Sequence, residues 1–194
     1  MPLSPRPNVF RLEFRFTIRQ EFRVEEIKAR VRDVPDFPKP GIVFKDVTPV
    51  LADGPLLAKT VAALVLPFKG SGVTKVAGME ARGFIFASLV AYHLGVGFIP
   101  LRKEGKLPHH THRAAYTLEY GEAVLEMHTD ALSDKDRVLL VDDLLATGGT
   151  AAASLELVTQ AGATVVGLAF VIELDFLHGR ERLAPHFVHS LLHY

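Results

Sequence analysis

An α/β fold, built on a mostly parallel central sheet flanked by helices, is predicted by three features of the chain. Val138, Leu139, Leu140 and Val141 form a continuous run of branched apolar residues, the pattern of a strand covered on both faces. Small, glycine-bearing junctions follow such runs and open into helix-forming stretches, at Gly78 to Phe84 and again at Ala146 to Thr150. The length of 194 residues suits one domain large enough to bury a core without disulfides or metal.

Composition removes several classes of function. Lysine and arginine number 22, as do aspartate and glutamate, so the whole-chain basic footprint of a nucleic-acid binder is missing and no nucleic-acid partner is expected. With no cysteine there is no disulfide framework, thiol nucleophile or thiolate metal site. Met1 to Pro7 lacks the apolar core of a signal peptide, and no run is long enough to span a bilayer, so a cytoplasmic protein without membrane partners is expected.

Taken in order, Phe10, Leu12, Phe14, Phe16 and Ile18 alternate with polar residues, giving residues 1–23 the look of an extension that is strand-like or unordered. Residues 24–194 read as one domain. Val24 to Val34 has a helical stripe of Val24, Ile27 and Val31, ended by Pro35, Pro38 and Pro40. A second helix is expected from Pro55 to Leu66, after an Asp53-Gly54 turn. Val73 to Ala77 reads as a strand, Phe84 to Leu94 as a helix and Gly97 to Leu101 as a third strand element, with Arg102, Lys103 and Lys106 at its carboxyl end. His109, His110, His112 and Arg113 crowd a polar loop; without a carboxylate or further ligands at helical spacing, no zinc site is expected there. Ala115 to Tyr120 and Glu122 to His128 alternate as two strands joined at Gly121. After the 138–141 run come Asp142 and Asp143, then the small residues Ala146, Thr147, Gly148, Gly149 and Thr150, then a helix from Ala151 to Gln160. Thr164 to Leu174 is apolar almost throughout and is expected at or near the sheet centre.

From the residues alone, the 138–150 stretch holds an anion, with hydroxyl groups near the carboxylates, at the carboxyl edge of the sheet, where ligands of open α/β sheets bind. An Asp pair in a polar turn, a surface Arg82, cations serving solubility and a solvated Glu119 are the structural alternatives. The dinucleotide fingerprint and the P-loop are both absent.

The run V-L-L-V-D-D-L-L-A-T-G-G-T resembles the phosphoribosyl-pyrophosphate (PRPP) signature of the type I phosphoribosyltransferases, and further segments, in the same order, are similar to those of the adenine phosphoribosyltransferases. The resemblance implies a three-layer fold with a small hood at about residues 35–50 and a flexible β flap at about residues 104–128. It also implies transfer of the 5-phosphoribosyl group from PRPP to adenine, giving AMP and pyrophosphate in purine salvage. In that reading the backbone at Val43, in P-D-F-P-K-P-G-I-V-F-K-D-V-T-P-V-L, reads the base edge, beside Lys45 where the family often has arginine. Arg82 faces base and leaving group, and Arg102, Lys103 and Lys106, in R-K-E-G-K-L-P, meet pyrophosphate. Glu119 and Tyr120 match a glutamate-tyrosine pair of the flap, with Glu119 exchanging a proton with the base. Asp142 and Asp143 take the ribose hydroxyls, and Ala146 to Thr150 cradle the 5′-phosphate. Mg²⁺ is implied as a companion of PRPP, held mainly by substrate oxygens with no dedicated protein cage, and a homodimer is implied as the assembly. His109 and His110 stand where the family commonly carries Gly-Pro, residues 1–23 fall outside the resemblance, and the tail H-G-R-E-R-L-A-P with F-V-H-S-L-L is expected to be structural. Two rivals stay open: transfer to another purine such as xanthine or hypoxanthine, and a PRPP-sensing regulator without catalysis.

Overall fold

The computed structural model describes residues 24–118 and 121–194; the alternating segment Phe10 to Phe22, and Glu119 and Tyr120, lie outside the described residues. Helix α1 (Val24–Arg30) is shorter than its apolar stripe suggests. The Val31 amide closes it on the carbonyls of Ile27 and Lys28. Beyond it, Val34 precedes Pro35, and a proline ring disfavours the helical conformation of the residue before it. Arg32–Pro35 is therefore a strand, β1, antiparallel to β2 (Val43–Asp46), with Asp33 opposite Lys45 and Val34 opposite Phe44. These two strands form a small sheet of their own.

The short helix α2 (Thr48–Leu51) leads to α3 (Gly54–Val65), where the Asp53 side chain accepts the Leu56 amide at 3.1 Å and caps the helix. The main sheet follows: β3 (Lys75–Met79), helix α4 (Gly83–Leu94), β4 (Gly97–Lys103), β5 (Thr111–Leu118), β6 (Gly121–His128), β7 (Arg137–Leu145), helix α5 (Gly149–Gln160), β8 (Thr164–Glu173) and β9 (Val188–His193). Its spatial order is β5-β6-β4-β3-β7-β8-β9. From β4 through β9 the neighbours are parallel, and β6 runs antiparallel to both β4 and β5.

Why the 138–141 run is continuously apolar is visible in the layers. Leu139 and Val141 pack into one cluster with residues of α3 and α4, while Val138 and Leu140 pack into the opposite cluster with Ala153, Leu157 and Val158 of α5. Full burial of each such side chain contributes about 1.5–3 kcal/mol, so both faces demand the same residue types. Among the described residues no helix is long and apolar enough to cross a membrane.

Three expectations change in detail. β7 continues through the acidic pair to Leu145, so Asp142 and Asp143 lie within a strand rather than after it. β8 is second from an edge, with β9 outside it and β3 at the centre; its apolar sequence reflects cover on both faces, which a penultimate strand shares with a central one. β5 begins at Thr111, ahead of the expected Ala115, because Thr111 and His112 pair with His128 and Met127 and extend the ladder into the histidine-rich stretch.

Candidate active site

β4, β3 and β7 are parallel neighbours, so their carboxyl ends open on one side. There β3 runs into Glu80, Ala81 and Arg82 and the start of α4, and β7 runs into Ala146, Thr147 and Gly148 and the start of α5. Between these two strand–loop–helix junctions lies a cleft of about 440 Å³. It is lined by Glu80, Arg82, Lys103, Asp142, Asp143 and the whole loop from Ala146 to Thr150, with Tyr116, Leu125 and Phe170 among its apolar walls.

The loop is shaped for an anion. Gly148, the N-cap of α5, has φ 79°, in the left-handed region that favours glycine, and it offers no side-chain oxygen to the first helical amides. Those amides are left for an external acceptor, and the helix dipole favours a negative one.

The two aspartates differ in surroundings. Asp143 is buried and accepts the Arg82 Nε hydrogen bond at 2.5 Å. The Arg82 guanidinium also lies 5.2 Å from the Phe44 ring centroid, so one side chain ties the small sheet to β7. Asp142 accepts the Asp143 amide at 2.8 Å and packs against Gly83, where a Cβ would stand 2.4 Å from its Oδ1. Burial, and then the charge of Asp143, push the Asp142 carboxyl well above the ordinary carboxylate range. The pair therefore sets a carboxyl crowded against α4 beside a salt-bridged one.

On the β4 side Glu80 gathers the cations. Its carboxylate takes the Lys106 ammonium, the Arg102 Nε at 3.3 Å and the Lys103 amide at 3.1 Å. Burial acts to raise the Glu80 carboxyl, and the Lys106 and Lys103 hydrogen bonds with the Lys106 charge outweigh it, holding it below its ordinary value.

The structure thus brings Arg82, Lys103, Asp142, Asp143 and Ala146 to Thr150 around one cleft, with Arg102 and Lys106 adjoining it through Glu80. Val43 and Lys45 do not line the cleft. Val43 is half exposed on β2, and the Lys45 ammonium pairs with Asp33 at 2.7 Å and sits 4.2 Å from the Tyr194 ring centroid. Glu119 and Tyr120 lie outside the described residues. Two contributors went unassigned in the sequence: Glu80, whose signal is a lone acid at a strand end facing three nearby cations, and Phe44, whose signal is its alternation with Val43 and Lys45.

A family model of the phosphoribosyl transferase domain matches residues 52–188, a span that holds both junctions and the cleft between them. The chain belongs to the phosphoribosyltransferase family. Curated members similar to it include the adenine phosphoribosyltransferase of Nitrosococcus oceani, 62% identical over 88% of this chain and 100% of that one. The Methylococcus capsulatus enzyme of the same name is 60% identical over the same shares. Among solved phosphoribosyltransferases, the adenine enzyme of Rhodothermus marinus aligns with a TM-score of 0.85 at 52% identity, covering 88% of this chain and 98% of that one. The Saccharomyces cerevisiae enzyme, complexed with an imino-altritol bisphosphate and adenine, aligns at 0.83 and 40% identity over 87% of this chain and 97% of that one. The three-layer, mostly parallel fold expected from the sequence is the fold of these phosphoribosyltransferases.

Proposed function

We infer that the chain transfers the 5-phosphoribosyl group of PRPP to adenine, releasing AMP and pyrophosphate. The observation that carries the reading is the cleft in which an acidic pair, an anion-binding loop and Arg82 converge at the carboxyl edge of a parallel sheet. It is supported by likeness to named adenine phosphoribosyltransferases along nearly their whole length.

In this reading the substrate spans the cleft. The amides and hydroxyls of Ala146 to Thr150 hold the 5′-phosphate, and Asp142 and Asp143 accept hydrogen bonds from the ribose hydroxyls. A bond forms between the anomeric carbon and a ring nitrogen of adenine as the bond to the pyrophosphate oxygen breaks. Positive charge grows on the ribose ring, and the Asp143 carboxylate favours it without reorganising, because Arg82 already fixes its position. Arg82, Lys103 and the Arg102-Lys106 pair draw the pyrophosphate away. The proton shed by the base passes to Glu119, a role carried by the family resemblance.

Mg²⁺ belongs to the proposal as an ion that arrives with PRPP and screens its diphosphate charge. The cleft's donors suit such an ion: Glu80 is occupied by cations, Asp143 by Arg82 and Asp142 by the Asp143 amide, which leaves substrate oxygens and water as the main ligands. Among the described residues the one group able to gather a metal, Glu173, Asp175 and His193, lies away from the cleft. A homodimer in the cytoplasm completes the reading; the exposed Ile85 and Tyr92, two turns apart on α4, suit such an interface, and a monomeric mass in solution would count against it.

The test is direct. The protein is incubated with PRPP, Mg²⁺ and each purine base in turn, and nucleotide is measured. AMP from adenine, with little product from hypoxanthine or xanthine, is the expected result. Product from another base instead reassigns the substrate, and no product from any base favours a sensor over an enzyme.

A further inference from the structure

The anion loop is not held by its own strand and helix alone. Gly179, buried in the 3₁₀ turn Gly179–Leu183, lies flat against it. A Cβ on Gly179 would stand 2.1 Å from the Ala146 carbonyl oxygen and 3.0 Å from the Gly148 amide nitrogen. The approach is mutual, since a Cβ on Gly148 would stand 2.6 Å from the Gly179 carbonyl oxygen. Two backbones meet here with no side chain between them, and only glycine on both sides allows it.

Gly179 is itself pinned by its neighbour. Arg180 Nε donates to Glu173 Oε1 at 2.9 Å, a second guanidinium nitrogen donates to the other Glu173 oxygen, and Nη1 donates to the Val188 carbonyl at 2.7 Å. Glu173 is 4% exposed and ends β8 directly opposite Leu145, the last residue of β7 before the loop. The Leu174 amide also donates to the Leu145 carbonyl at 2.9 Å. The contacts therefore close a ring: from the end of β7 across to Glu173, through the Arg180 fork, to the Gly179 backbone and back to Ala146 and Gly148.

We propose that Gly179, held by the Arg180-Glu173 pair, is a positioning residue for the anion loop and sets affinity for the phosphate group without touching it. An anion cradle made of backbone amides binds well only when those amides already point at one place; a loop that must first be ordered loses that ordering entropy from its affinity. Bracing from behind, by a segment more than 30 residues further along the chain, removes the cost. This rests on the assignment of Ala146 to Thr150 to the 5′-phosphate, and the test separates the two ideas.

Binding of AMP and of adenosine is measured by calorimetry on the full chain, so that the ratio of the two affinities reports the 5′-phosphate alone. Gly179→Ala is expected to weaken AMP about tenfold, or ~1.4 kcal/mol, while adenosine binding holds; the melting temperature falls, because the new Cβ meets backbone. Arg180→Lys, which keeps the charge but loses the fork, is expected to shift the ratio in the same direction by less, and it decides the matter if Gly179→Ala does not fold. An unchanged ratio in these variants overturns the proposal, as does an equal loss for both ligands, which makes the turn a matter of folding only. The parental ratio tests the underlying assignment: if the unaltered protein binds AMP no more tightly than adenosine, the loop is not a phosphate site.

Discussion

Replacing Gly83 by alanine tests the acidic pair at its most confined point. A Cβ built there stands 2.4 Å from Asp142 Oδ1, 3.1 Å from its Cγ and 3.2 Å from its Cα. The carboxylate end lies about 1 Å inside ordinary carbon–oxygen contact, and the nearby Cα means that rotation of the side chain alone does not relieve the clash. Asp142 must retreat with its backbone, and β7 is buried on both sides of it. Overpacking of this kind costs about 1–3 kcal/mol, and Gly83 is the first residue of α4, where the interior helix preference of alanine gives no offset. Stability should fall by about that amount. Catalysis by the folded protein should fall in addition, because a misplacement of about 1 Å at a reacting centre costs on the order of 10²-fold. The assay is steady-state AMP formation with melting temperature measured alongside, and Gly54→Ala as control, since a Cβ at Gly54 meets nothing within 4 Å. A Gly83→Ala protein with parental kcat/KM would refute the claim that Asp142 must sit where the structure puts it.

Glu119→Gln is expected to lower turnover by about 10²-fold with PRPP affinity retained, as loss of a general acid/base group predicts; equal turnover in both proteins removes the role. Tyr194→Ala takes away a ring approached by Lys28 at 4.7 Å and Lys45 at 4.2 Å, contacts worth about 0.5–1 kcal/mol each besides the buried ring area. The melting temperature should drop by about 4–8 °C for a loss of about 2 kcal/mol, and an unmoved transition argues against this clasp between β9 and the β1–β2 sheet. For Glu173, burial alone raises the carboxyl, but hydrogen bonds from Arg180 and Ser190 and the Arg180 charge hold it below its ordinary value. A lowered folded pKa stabilises above the unfolded value of about 4.3 and is lost as pH falls through the folded one. Urea titrations should accordingly show Glu173→Gln weaker than the parent at pH 7, with the gap closing at acid pH; a gap that does not vary with pH contradicts the pairing.

How much of this was legible in the sequence follows from the range of the interaction involved. β7 and α5 announce themselves because their signals are local: a doubly covered strand needs a continuous apolar run, and an anion loop at a helix start needs small residues. The cleft residues Asp142, Asp143 and Thr147 ride on those elements, and Arg82 and Lys103 stand at the carboxyl ends of neighbouring strands. Val31 to Val34 reads as helix because the apolar stripe of α1 runs on into a segment that pairing with β2, about 10 residues downstream, turns into a strand. β9 carried no local mark that separates a short edge strand from a structural tail.

The features that remained unread all join distant parts of the chain through one polar side chain or one missing Cβ. Lys45 stands beside Val43 and Phe44 in sequence, but alternation on β2 sends Phe44 toward Arg82 and gives Lys45 Asp33 and Tyr194 as partners. Glu80 shows the consequence for chemistry. Read singly, Arg102 and Lys106 are cations waiting for a diphosphate, whereas in the fold both already share a buried carboxylate. A diphosphate entering the cleft must therefore compete with Glu80 for them or be met jointly. The cost of that competition is repaid only if the ligand carries more negative charge than the single carboxylate it displaces. A diphosphate satisfies that condition and a lone monophosphate does so barely, so under the proposed reading the Glu80 cluster would favour the diphosphate end of the substrate and leave the loop around Gly148 for the single phosphate at the other.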